Sequence, residues 1–126
     1  MIDQNNQALI TAIMHELNQA ESLELSGNYH SAFHHLERAH ILGQASTYQH
    51  TRIHWRMLKI AFKLRSPSEI WGQIIRIIGA STKTPLGIYP KGNTGGANVW
   101  FFKPMPIPSD LQDILKRSGA TNEPNN

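Results

Sequence analysis

Cysteine is absent from this chain of 126 residues. That absence excludes a disulfide framework, a thiolate zinc site and a cysteine nucleophile, and it suits a reducing compartment. Long apolar runs are missing too. None approaches the ~20 residues needed to cross a bilayer, so no membrane span is expected. The opening MIDQNNQALITAIMHEL has no basic n-region and no apolar h-region, so no signal peptide is expected, and the composition reads as a soluble, cytoplasmic protein. Charge is sparse: charged residues make up 17% and the formal net charge is +3. Arg52, Arg56, Lys59, Lys63, Arg65, Arg76 and Lys83 are spread out, partly as the solvent side of one helix. Nucleic acid binding asks for a denser basic patch interleaved with stacking aromatics and is not expected.

What the chain does have is helical periodicity. Leu9, Ile10, Ile13, Leu17 and Ala20 predict an amphipathic helix over about 6–26, broken by Gly27-Asn28. Tyr29, Ala32, Phe33, Leu36 and Ala39 predict a second over 28–43, with Gly43 as its C-cap. Ser46 or Thr47 caps a third over 47–64, carrying Ile53, Met57, Ala61 and Leu64 inward and stopping before Pro67. A fourth over 67–80 has Pro67 in its first turn and Ile70, Ile74, Ile77 and Ile78 as its core face. With such short breaks, consecutive helices are expected to be antiparallel neighbours.

From Ser81 the chain turns rich in Gly, Pro and Asn. It predicts an irregular arm over 81–108, with a β-like run at Val99–Phe102. Its aromatics, Tyr89, Trp100, Phe101 and Phe102, suggest packing across the helices or contact with a protein partner or second copy. Ser109 and Gln112 have capping-box spacing for a short helix over 109–118 stopped by Gly119, and 120–126 reads as a disordered tail. The expected fold is one mainly α domain over 1–119, a four-helix antiparallel bundle of αα-hairpins. The segment GNYHSAFHHLERAH also resembles a tetratricopeptide hairpin, with its Gly, an aromatic two residues on, and small residues at packing positions.

Five of the seven histidines fall within residues 32–58. On the second helix Phe33, Leu36, Glu37 and His40 follow i, i+3, i+4, i+7, so Glu37 and His40 share its apolar face. On the third, His50, Ile53, His54, Met57 and Ala61 do the same. The turn between them centres near Ala45, with His40 and His50 equally far from it and Glu37 and His54 nearly so. In an antiparallel hairpin rising ~1.5 Å per residue, the two pairs would face each other almost level. Buried carboxylate and imidazole groups cost free energy unless paired or metal-bound. Glu37, His40, His50 and His54 are therefore the candidate ligands of one divalent transition metal. A Glu-x-x-His pair projecting inward is a half-site of helical-bundle metalloproteins, but no second such pair occurs, so the site is expected to be mononuclear. Nitrogen and oxygen ligands without thiolate suit zinc, iron, copper or nickel.

Two forms stay open. With Glu37 bound the site is closed and four-coordinate, suited to metal handling or structure; with three histidines bound, a water fills the fourth position and Glu37 is free to act as base. The metal-free alternative is a helical-hairpin interaction module in which a buried His/Glu hydrogen-bond cluster organises the core. His34 lies one turn before Glu37 and is a candidate outer or supporting residue. Met57 is a candidate soft neighbour, though a core methionine is the simpler reading. His30 and His35 read as surface or partly buried histidines.

YPKGNTGGANV lacks the Walker spacing, and its glycines read as tight turns at positive φ. Folded over the histidines, this stretch would act as a lid, with Asn93, Thr94 and Asn98 bonding a substrate or metal-bound water. LERAHILGQ, the histidines at 50 and 54, GQIIRIIGA and PKGNTGGANVWFFKPMPIPSDL together resemble an uncharacterised bacterial family of short proteins, domain-of-unknown-function family 3703, over roughly 28–115. The resemblance implies that Leu36, Glu37, Arg38, Ala39, His40, Gln44, His50, His54, Met57, Gln73, Arg76 and the GNTGG run are family positions. It brings no activity with it.

Overall fold

The structure, a computed structural model, describes residues 4–88, 90–100 and 103–119. Its elements are α1 (Gln4–Leu25), α2 (Tyr29–Gly43), α3 (Thr47–Lys63), α4 (Pro67–Lys83), a 3₁₀ turn (Thr84–Leu86) and α5 (Ser109–Ser118). There is no strand among the described residues. Val99 and Trp100, the described half of the β-like run, form none. Phe101, Phe102, Tyr89 and the tail at 120–126 lie outside the described residues.

Each helix boundary has a local cause. Gly27 at φ +80° ends α1, and Asn28 N–H reaches back to Leu23 O at 2.8 Å, a left-handed stop that costs glycine little. Ser46 Oγ accepts from Gln49 N–H and Ser66 Oγ from Glu69 N–H, satisfying donors that the first turns of α3 and α4 would otherwise leave unpaired. Two sequence expectations fail here. Gly43 is the last residue of α2 rather than its cap: a Cβ there would sit 3.1 Å from both Gln49 Cβ and Ile53 Cδ1, so the glycine serves the close crossing of α2 on α3. Ser109 is the first residue of α5, which starts from Pro108 without a side-chain cap; Gly119 at φ +71° does stop that helix.

Neighbouring helices in the chain pack as neighbours in space, α1 on α2, α2 on α3 and α3 on α4, while α5 returns to lie on α1 and α2. The apolar core is built from Ile13 and Leu17 of α1, Leu36 and Ala39 of α2, Ile53, Met57 and Ile60 of α3, and Leu111 and Leu115 of α5. No described residue of α4 belongs to it. The fourth seat in the core is taken by α5; of the expected isoleucine face of α4, Ile70, Ile74 and Ile77 are half-buried and Ile78 is exposed, and the helix fully buries only Gln73 and Ala80.

A charged clamp fixes α5 in place. Glu16 on α1 is buried and accepts from Arg38 Nε at 2.9 Å, with His35 Nδ1 2.7 Å away, while Arg38 also pairs with Asp110 of α5. A buried carboxylate is tolerated because it is paired. Leu111 is fully buried, so Leu111→Ala is expected to cost about 2–5 kcal/mol, read as a lower urea midpoint with little change in slope. An unchanged midpoint would mean that α5 does not dock.

Candidate metal centre

His40 leaves the last full turn of α2, and His50 and His54 stand one turn apart on α3. All three are buried. Their Nε2 atoms converge: His40 Nε2 lies 2.9 Å from His50 Nε2 and 3.0 Å from His54 Nε2. Among the described residues this is the one group of three or more metal-ligating side chains with donor atoms close enough to share an ion.

The register differs from the level pairing expected. His40 sits between His50 and His54 rather than opposite His50 alone, because α2 crosses α3 tightly at Gly43. Glu37, one turn earlier on α2, is not among the converging donors. It is half-buried, and burial raises its pKa, offset by the Thr94 hydroxyl and reinforced by the nearby Glu69 carboxylate.

Each ring is held from behind through Nδ1. His40 Nδ1 is 2.7 Å from Asn93 O, His50 Nδ1 2.7 Å from Thr84 Oγ1, and His54 Nδ1 2.7 Å from Gln73 Oε1. Such outer contacts fix ring orientation in metal sites. They also fix protons. A backbone carbonyl only accepts, so His40 carries its hydrogen on Nδ1. Gln73 Nε2 donates to Glu69 Oε1 at 2.7 Å and to Gly95 O at 2.8 Å, so its amide cannot be turned round. Its Oε1 therefore accepts from His54 Nδ1–H. In the neutral rings both Nε2 atoms are bare lone pairs, and they face each other at 3.0 Å. That contact is not a hydrogen bond; it is repulsive until a cation lies between the rings.

A proton is a poor cation here. Burial, the other two rings and Arg76 hold the His40 pKa well below its ordinary value, opposed only by the Asn93 carbonyl. Burial lowers His50 to about 4, and burial with the His50 ring brings His54 to about 3. The rings are thus kept in the neutral form that metals bind. Three nitrogens ~2.0–2.1 Å from one tetrahedral ion would stand about 3.3 Å apart, a few tenths of an ångström more than the spacing seen.

The glycine-rich arm covers one side of the site. Asn93 is buried, and its side chain is spent on the arm itself, donating to Trp100 O and Lys103 O and accepting from Gly95 N–H. Only its carbonyl serves the site. Gly95, at φ +84°, lies against His40, where a Cβ would stand 2.8 Å from Cδ2 of the ring. Gly92, at φ +78°, leaves room for Met105 O and gives its N–H to Gln44 Oε1. Thr94 faces Glu37, Asn98 and His34 are exposed, and Met57 is a core residue. Sequence reasoning did not single out Thr84 at all, and it gave Gln73 and Arg76 no role. A buried glutamine amid isoleucines on α4 is the one signal that was readable.

Beside the rings opens a cleft of about 340 Å³, walled by Ile75, Ile78 and Ile88 with Arg76 and Thr84. Arg76 is half-buried here and donates to Gly72 O and Val99 O.

The low histidine pKa values set the acid stability of the metal-free chain. Unfolded histidines gain protons below their ordinary value of 6.5, whereas the buried rings stay neutral until about 4 and 3. Unfolding therefore takes up protons in that window, and stability falls as pH drops. The slope is roughly 1.4 kcal/mol per pH unit for each histidine. Urea midpoints between pH 7 and 4.5 should decline steeply, and less steeply in His54→Leu; equal slopes would mean that the rings are not buried.

A protein-family model described as Protein of unknown function (DUF3703) matches residues 7–115, a span that takes in α1 as well as the histidines and the arm. No curated protein and no solved structure matches the chain.

Proposed function

The chain belongs to this family of unknown function, and we propose that it is a small transition-metal-binding protein with one mononuclear site formed by Nε2 of His40, His50 and His54. The observation that carries this is the 3.0 Å approach of the His40 and His54 Nε2 lone pairs, with both tautomers set by buried acceptors. A divalent ion turns that repulsion into two bonds. Nitrogen donors without sulfur suit zinc, iron, copper or nickel.

Of the two forms the sequence leaves open, the cleft supports the three-histidine one. An open position facing a cavity is the arrangement of catalytic rather than purely structural sites. Glu37 does not line the cleft, so it is assigned neither as a ligand nor as a base. The pairing of α1 with α2 and α3 with α4 supports reading the scaffold as successive helical hairpins of tetratricopeptide type, and exposed Trp100 supports a partner contact on the arm. The metal-free interaction module is the rival. It would have to keep two opposed lone pairs in the core.

Elemental mass spectrometry on untagged protein separates these readings. About one equivalent of metal is expected, lost in a His40→Ala, His54→Ala double variant. Thr84→Val, which removes only the partner behind His50, is expected to weaken binding about 10–100-fold. Native protein that is metal-free and takes up no added zinc, copper, nickel or iron would overturn the proposal.

A further inference from the structure

The cleft beside the histidines has a chemistry of its own. Three neutral imidazoles leave the full charge of a divalent ion uncompensated. Arg76 adds positive charge to the wall, and no carboxylate lines the cleft among the described residues. The nearby acids do not reach the cleft: Glu69 accepts from Gln73 Nε2 and Ala97 N–H and acts on Arg76 only through its charge, and Glu37 pairs with Thr94. Arg76 Nε is buried without a partner. A buried cationic centre of this kind calls for an anion.

Most of the remaining wall is hydrocarbon. Ile75, Ile78 and Ile88 line the cleft and are otherwise exposed, an arrangement that only a bound apolar body would cover. The volume falls at the lower end of the roughly 300–1,000 Å³ typical of small-molecule sites. Gly79 also lines it, in the interior of α4, where glycine weakens a helix relative to alanine. Packing does not require that glycine, since a Cβ there meets nothing within 4 Å. A side chain at this lining position would have open space to grow into.

We infer that the cleft binds a small organic monoanion of the short-chain carboxylate class. The carboxylate takes the open metal position beside Arg76, and the hydrocarbon chain lies over Ile75, Ile78 and Ile88. This rests on the metal site proposed above.

The test uses the full chain loaded with cobalt(II), whose visible spectrum reports its ligands, titrated with acetate, butyrate, hexanoate and inorganic phosphate. Carboxylates are expected to change the spectrum, with affinity rising up to about fourfold per added methylene and phosphate binding more weakly than hexanoate. Gly79→Leu should keep its cobalt and its fold but lose at least about tenfold in hexanoate affinity, the side chain filling space that several methylenes would take. If cobalt binds and the spectrum ignores carboxylates, or if affinity is flat with chain length or phosphate binds as tightly as hexanoate, the inference fails while the metal site stands. If cobalt is not taken up at all, the metal reading fails and this inference with it.

Discussion

Two imidazole lone pairs held 3.0 Å apart are the constraint around which the rest of this structure is arranged. Left alone, that contact opposes folding, because neither ring can donate and burial resists protonating either one. A fold that keeps it must hold the rings firmly from behind, and here each of the three histidines is held from a separate element. The arm supplies Asn93 O, the 3₁₀ turn supplies Thr84, and α4 supplies Gln73.

The same constraint accounts for the unusual position of α4. The core is completed by α5, and the large side chain that α4 buries fully is Gln73, its isoleucines being half-buried or exposed. Gln73 links His54, Glu69 and Gly95, so one side chain ties the ring, its own helix and the arm together. The glycines of the arm follow from close approach: Gly95 against His40, and Gly72 of α4 where a Cβ would stand 2.6 Å from Ala97 Cβ. Larger residues would lift the arm from the rings and expose their nitrogens to water.

Much of this was legible in the sequence, and the gaps have physical reasons. The mainly helical class followed from apolar spacing in α1 to α3, and a cap for α3 at Ser46 or Thr47 from local chemistry alone. Convergence of His40, His50 and His54 followed from helical faces. Glu37 was brought to the same point by assuming a hairpin with level rungs. The helices are not level: His40 meets both His50 and His54, a full turn apart on α3, which leaves Glu37, one turn earlier on α2, outside the group. On α4 periodicity found Ile70, Ile74 and Ile77, which are half-buried, but missed Gln73, because it counts isoleucines and cannot weigh one buried glutamine required by a histidine on another helix. Thr84 and the Asn93 carbonyl were invisible for a related reason: their roles exist only after a long chain segment folds back.

The most direct measurement is long-range ¹H–¹⁵N correlation NMR of the histidine side chains, with and without one equivalent of zinc. The account predicts that metal-free His40 and His54 are both Nδ1–H tautomers and that zinc shifts the Nε2 resonances of all three rings together. An Nε2–H tautomer at His40 or His54, or Nε2 resonances that zinc leaves unmoved, would contradict it.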